Sequence, residues 1–194
     1  MADVAEPQFR RAGPTDAEAV AKLHADSWRR HYRGAYSEAF LDGDVVADRL
    51  AVWTDRLSEP DPRRCTILAE SGGLVGFANT LFDDDPTRGA LLDNLHVADG
   101  HRRRGIGSRL LALAAEAVLA RPERTGLYVW VLEQNADAQA FYESRGGSCE
   151  GRDLVSPPGG IVSRLAGSPA KLRYAWPEPG MLLERAGATT YGAR

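Results

Sequence analysis

Residues 91–108 (LLDNLHVADGHRRRGIGS) constrain this chain more than any other stretch. They read as an apolar strand, a tight turn, three consecutive arginines, and then Gly105-Ile106-Gly107 opening a long helical pattern. Glycines at a helix start let backbone N–H groups approach an anion closely, because no Cβ stands in the way. The first-turn N–H groups have no intrahelical partner, and the helix dipole adds about half a positive charge at that end. Arg102, Arg103 and Arg104 bring cationic donors to the same point, and guanidinium groups grip phosphate well. The segment therefore reads as a seat for a pyrophosphate-bearing cofactor. It is not a nucleotide-triphosphate loop, since no lysine followed by Ser or Thr comes after the second glycine. Nor does it suit a dinucleotide, since Leu110 stands where a third small residue belongs and no acidic residue follows at the right distance.

The remainder must supply a sheet and a core. At 194 residues the chain fits a single domain over 1–194. Its core is expected over about 9–176, and 177–194 forms a Pro- and Gly-punctuated tail expected to be loosely held. Residues 1–8 carry no pattern, and 9–12 read as a short strand. Thr15 and Glu18 fit a capping box for a helix running to about His31. A break follows at 32–36, then a helix over 44–57 closed by Pro60 and Pro62. Residues 65–70 and 74–82 form a hairpin around Gly72-Gly73, Asp83 to Pro86 a turn, and 89–97 a third strong strand. The helix over 106–119 shows an apolar stripe ended by Pro122; 125–132 is a strand buried on both faces. Asn135 caps a helix to Ser144, stopped by Gly146-Gly147. Strands at 148–154 and 171–176 flank a loop rich in Pro and Gly. This order predicts an α/β arrangement with helices covering a mostly antiparallel sheet, and one parallel pair joined by the 106–119 crossover.

Two blocks carry a family resemblance. Arg102-x-x-Gly105-x-Gly107 follows a strand ending Leu95-His96-Val97, and Asn135 starts a helix ending Phe141-Tyr142-Glu143-x-x-Gly146. The pair, in this order and joined by one helix and one strand, resembles the acyl-CoA-dependent N-acetyltransferases of the GNAT superfamily. The resemblance is specific over 91–146 and extends at fold level over about 9–176. It implies a GNAT-like mixed sheet whose parallel pair splays apart, with acetyl-CoA as co-substrate. The pantetheine arm would pair with Leu95, His96, Val97 and Asn135, with Ala138 and Tyr142 alongside. The pyrophosphate would meet Arg102, Arg103, Arg104, Gly105, Ile106, Gly107 and Ser108. By the same resemblance Tyr142 is the general acid that protonates the departing thiolate, and a backbone N–H near Val97 is the oxyanion donor.

The general base is left open between Asp93 and His96. Family members place a carboxylate where this chain has Trp130 or Leu91. Adjacent strand positions point to opposite faces, so Asp93 and His96 share a face only if a bulge intervenes. Trp28, Tyr32 and Tyr36 cluster at the helix break that borders the acceptor pocket in this family, and the 156–170 loop falls where the family also shapes it. His24 and His31, seven apart without a carboxylate partner, read as surface residues rather than metal ligands. Trp176 reads as strand core, Glu133 as a solvated or structural carboxylate.

A net charge of -3 speaks against a general nucleic-acid binder. Cys65 and Cys149 offer neither metal spacing nor a disulfide framework, which together with the absence of a signal pattern or membrane-length apolar run suggests a cytoplasmic protein. The expected acceptor is a primary amine on a small molecule. A peptide N-terminus, and a non-catalytic acyl-CoA sensor, are the alternatives. Homodimers are common among such folds.

Overall fold

The computed structural model describes residues 6–122 and 126–188. Part of the expected lead (1–5), the start of one expected strand at Thr125, and the end of the tail (189–194) lie outside the described residues. Seven strands form one sheet: β1 Gln8–Arg11, β2 Arg64–Glu70, β3 Leu74–Asp85, β4 Gly89–Val97, β5 Leu127–Leu132, β6 Ser148–Leu154 and β7 Ala170–Trp176. Their spatial order is β1-β2-β3-β4-β5-β7-β6. Every neighbouring pair is antiparallel except β4 with β5. The helices are α1 Ala17–His31, α2 Glu38–Asp42, α3 Val45–Ser58, α4 Ile106–Leu119, α5 Ala136–Ser144 and α6 Met181–Ala188. This is the mixed, mostly antiparallel sheet with one parallel pair and flanking helices that the order of elements predicted.

Helices cover both faces, and each face has its own core. Ile106, Leu110, Leu111 and Val118 of α4 pack on Leu92, Leu127, Val129 and Trp176. On the opposite face Val20 and Ala21 of α1 and Trp53 and Leu57 of α3 close over Leu68 and Phe77. A third cluster gathers Ala25, Trp28, Tyr36, Phe40, Leu41 and Val45, and ties α2 to the ends of α1 and α3. Side chains of this size contribute about 1.5–3 kcal/mol each when buried, so the two-sided cover is the main source of stability.

Four local expectations are corrected. The first helix begins after Asp16 rather than after Thr15, and no side chain caps it: Asp16 ends a short 3-10 turn over Pro14–Asp16, and its carboxylate accepts the Gly13 N–H at 2.8 Å. Residues 83–85 are strand rather than turn, because Asp83 adopts a left-handed φ of 55° that bends β3 without ending it. The reversal comes after Asp85, whose carboxylate accepts the Thr87 and Arg88 N–H groups at 2.8 and 3.0 Å. Between the break at 32–36 and the next helix lies an unexpected α2, five residues long and too short to show helical periodicity. The tail forms α6, whose Leu182 is 2% exposed and belongs to the α4 core.

Candidate active site

The site begins with an irregularity in β4. Thr80 pairs with Leu92 and Asn79 with Asn94, so Asp93 is an extra residue, a bulge. Leu92, Leu95 and Val97 keep facing the α4 core. Asp93 and Asn94 both reach Arg56 of α3, at 2.7 and 3.3 Å. His96 lies on the same side, 5.2 Å from the Phe77 ring and 4.7 Å from His24 of α1 between centroids. Asp93 and His96 therefore share a face, which strict alternation would forbid.

The second irregularity is the parallel pair. β4 and β5 pair only at Ala90 with Leu127 and Leu91 with Tyr128. Beyond those positions the two strands no longer pair, and among the described residues no strand pairs with 92–97 on the side facing β5. A backbone edge with open N–H and C=O groups is a template for an extended ligand.

At the end of that edge the chain turns into α4. Gly105, at φ 80°, is the N-cap, and apart from its two chain neighbours no described residue has an atom within 4 Å of where its Cβ would stand. Arg103 is also left-handed, at φ 63°. The first bond of α4 runs from Arg109 N–H to the Gly105 carbonyl, 2.9 Å, leaving the N–H groups of Ile106, Gly107 and Ser108 outside the helical ladder. Arg103 and Arg104 are exposed and have no ion-pair partner among the described residues, whereas Arg102 is drawn to Asp99 and, at 3.3 Å, to Asp137 of α5.

The helix α5 faces this from across the opening. Asn135 caps it, its Oδ1 accepting the Ala138 N–H at 3.1 Å. Phe141 contacts the Gly107 position. Tyr142 is 6% exposed and packs against Phe141, Tyr174 and Trp176, with ring centroids 5.2, 6.1 and 5.8 Å away. Its hydroxyl makes no hydrogen bond to a described residue. Burial, reinforced by the nearby Tyr32 phenol, raises its pKa well above the ordinary value, so the proton stays on oxygen at neutral pH.

The aromatic residues at the break line the other side. Trp28 lies 5.4 Å from Tyr32 and 4.9 Å from Tyr36, with Tyr32 and Tyr36 4.9 Å apart. Trp28 and Tyr36 are each 7% exposed and act as wall; Tyr32 is partly exposed. Burial and then the Asp93 charge push the Tyr32 phenol up to about 12. Chain segment 156–170 closes over this corner: Ser37 N–H donates to the Arg164 carbonyl and Ala166 N–H to the Ala35 carbonyl, at 2.8 and 2.9 Å.

Two histidines sit under the bulge, and one corrects an expectation. His24 is 1% exposed, not a surface residue. Trp53 Nε1–H donates to its Nδ1 at 2.9 Å, and because an indole only donates, Nδ1 must be the bare nitrogen and Nε2 carries the proton. Burial, then the His96 and arginine charges, hold His24 well below the usual imidazole range. Burial lowers His96 to about 4, with its Nδ1 2.7 Å from Ser27 Oγ. Both rings are neutral at pH 7. Asp93 keeps Oδ1 unpartnered among the described residues, since Arg56 and the Asn79 amide both donate to Oδ2, at 2.7 and 3.2 Å. Ser27 and Arg56 carried no signal in the sequence, because nothing local ties position 27 to 96 or 56 to 93. Elsewhere, Glu133 pairs with Arg152 on the surface and Trp130 lies beneath Lys171 and Arg173. Among the described residues no group of three or more His, Cys, Asp or Glu is arranged to hold a metal, and no helix is long and apolar enough to cross a membrane.

Comparison with known proteins agrees with this geometry. A family model described as acetyltransferase (GNAT) family matches residues 19–147. The probable N-acetyltransferase Rv2775 of Mycobacterium tuberculosis is 30% identical over 158 residues, 78% of this chain and 85% of the relative. The uncharacterized N-acetyltransferase YuaI of Bacillus subtilis is 27% identical over 139 residues, 70% and 76% of the two chains. Among solved structures, the PaiA N-acetyltransferase of Thermoplasma acidophilum in complex with coenzyme A has the same fold, with a TM-score of 0.68, 20% identity, and coverage of 89% of this chain and 100% of that one.

Proposed function

This chain belongs to the acetyltransferase (GNAT) family and is an acetyl-CoA-dependent N-acetyltransferase; on that premise we propose that it transfers acetyl directly to a primary amine of a small molecule while both substrates are bound. The observation that carries the reading is the early end of β4–β5 pairing at Leu91 and Tyr128, which leaves the 92–97 edge open beside the α4 start and Tyr142. The residues there fit the co-substrate. Leu95 to Val97 offer a strand edge to the amide groups of the pantetheine arm. The free N–H groups of Ile106, Gly107 and Ser108, with Arg103 and Arg104, suit the pyrophosphate. Asn135 and Ala138 already bond to each other, so α5 contributes the Asn135 amide nitrogen and the Tyr142 hydroxyl.

Chemistry on this side needs three services from the protein. A backbone N–H at the end of β4, near Val97, stabilises the developing oxyanion. Tyr142, protonated and without another partner among the described residues, donates its proton to the sulfur as the thiolate leaves. Asp93, through its open Oδ1, accepts the proton that the incoming ammonium sheds so that the free amine can attack, while Arg56 and Asn79 hold the carboxylate in place. His96, neutral on the same face, is the competing acceptor. Comparing the Asp93→Asn and His96→Gln variants decides between them: the true acceptor's loss lowers kcat/KM by about 10²–10⁴.

The small-molecule reading is supported by the 156–170 segment, whose hydrogen bonds to Ala35 and Ser37 close one side of the acceptor corner against an extended chain. The decisive experiment screens small amines, aminoglycosides and N-terminal peptides for thiol release from acetyl-CoA, with CoA affinity measured by calorimetry. Release with peptides alone overturns the small-molecule reading, and CoA binding without release to any acceptor leaves a sensor.

A further inference from the structure

Beside the acceptor corner lies a cluster whose charges do not balance. Asp48 of α3 is held by two arginines. Arg49 donates from Nε at 2.9 Å and Nη2 at 2.5 Å to Oδ2, and Arg164, from the 156–170 segment, donates from Nη1 at 2.6 Å to Oδ1. The three side chains are only 9%, 13% and 19% exposed for Arg49, Asp48 and Arg164. One carboxylate serves two guanidinium groups, so a positive charge is left over where water is scarce. Arginines withdrawn from water need anionic partners, and an uncompensated one is costly. Here the excess is kept rather than relieved.

The cluster is also aimed. Arg49 stacks over the Trp28 ring at 4.2 Å and Arg164 over Phe40 at 4.5 Å. Trp28 is the same ring that borders Tyr32 and Tyr36. The Arg49 charge is felt by Tyr32, Tyr36 and His96. Arg49 Nη1 and Arg164 Nε and Nη2 make no hydrogen bond to a described residue, and none of the three is sealed from solvent. Two flat donors, backed by aromatic rings and carrying unused N–H groups, match the planar fork of a carboxylate.

We propose that Arg49 and Arg164 recognise a carboxylate on the acceptor, so that the substrate class is amines that carry an acid group, amino acids among them, and not polyamines. This deepens the proposed function and rests on it. A polyamine would bring a second cation against the excess positive charge, an unfavourable meeting that discriminates by repulsion. The same field favours the neutral form of the incoming amine, which is the form that attacks.

The test uses the full chain with acetyl-CoA, α-amino acids and a series of straight-chain ω-amino acids, each beside its carboxamide, and spermidine as the cationic probe. The acid is expected to exceed its carboxamide in kcat/KM by roughly tenfold or more, mostly through KM, as the loss of a charged hydrogen bond implies. In Arg164→Gln that ratio is expected to fall toward one, and Arg164→Lys to restore part of it. If Arg164 were only a staple for its segment, Arg164→Gln would depress acid and carboxamide alike and leave the ratio intact, which overturns the proposal. A preference for spermidine, or equal use of acid and carboxamide by the unaltered protein, overturns it too while leaving N-acetyl transfer standing. Failure of every amine to release thiol from bound acetyl-CoA removes both readings together.

Discussion

Tyr142 joins two properties that rarely coexist, a buried phenol and a hydroxyl without a hydrogen-bond partner among the described residues. Its ring is fixed by Phe141, Tyr174 and Trp176, so removing only the oxygen should leave the packing intact. Tyr142→Phe is therefore expected to lower kcat by about 10²-fold or more with little change in CoA affinity, read from steady-state kinetics beside calorimetry. Unchanged turnover at saturating amine would remove the general acid from Tyr142. The histidines make a separate prediction about stability. His24 and His96 have folded-state values below that of the unfolded chain, so between about pH 6.5 and 4 the unfolded state binds more protons. Stability is then fully present above pH 6.5 and falls as the pH drops toward 4. His96 alone accounts for up to about 3 kcal/mol, from 1.36 kcal/mol per unit. Urea unfolding at pH 7.5, 5.5 and 4.5 checks this, and a flat profile would contradict the desolvation of the buried His24 and the half-buried His96. The sequence marked His24 as a residue type without revealing its depth, because a histidine on an amphipathic helix carries no sign of whether a tryptophan from another helix will cover it.

Elements do their work here through their irregular ends. The extra residue at Asp93 turns two side chains to one face, and the parting of β4 from β5 opens an edge between them. The α4 start depends on Gly105 at φ 80°. Gly105→Ala meets no steric obstacle from neighbours but pays for the left-handed backbone, about 1–2 kcal/mol. It is expected to lower the thermal midpoint and weaken CoA binding together, whereas Gly107→Ala, in ordinary helical backbone with its nearest contact at 3.6 Å, should weaken CoA binding more than stability. Calorimetry and thermal melts on both variants test the contrast. The glycines were legible in the sequence since backbone demands are local. The bulge was legible only as a condition: 89–97 reads as an unbroken apolar strand, and which residue is extruded depends on what Asn79 and Arg56 offer across the sheet.

At the scale of the molecule, two helical layers grip one sheet, and α6 belongs to that grip. Leu182 is buried in the α4 core and Gly180 approaches Leu119. Ending the chain after Glu178 should therefore cost about 2–4 kcal/mol, by analogy with losing a buried leucine, visible as a lowered midpoint in urea. No change would mean that the α4 face is sealed without α6. The tail looked loose because its Pro and Gly residues mask a short helix, Met181–Ala188, whose partner α4 ended far earlier in the chain, at Leu119.

The order of the strands and longer helices, the glycine-opened start of α4 and the capped α5 helix could be read from the chain alone, because each rests on contacts between residues near in sequence. The sequence also carried the family. Only the tertiary structure decided that Asp93 and His96 face the same way, that His24 is core, and that Asp48 is shared by Arg49 and Arg164. Those facts depend on Trp53 meeting His24, Arg56 meeting Asp93 and Arg164 meeting Asp48, partners 29, 37 and 116 positions apart. Sequence spacing predicts which residues share a helix face or strand face, and it is silent on which faces meet.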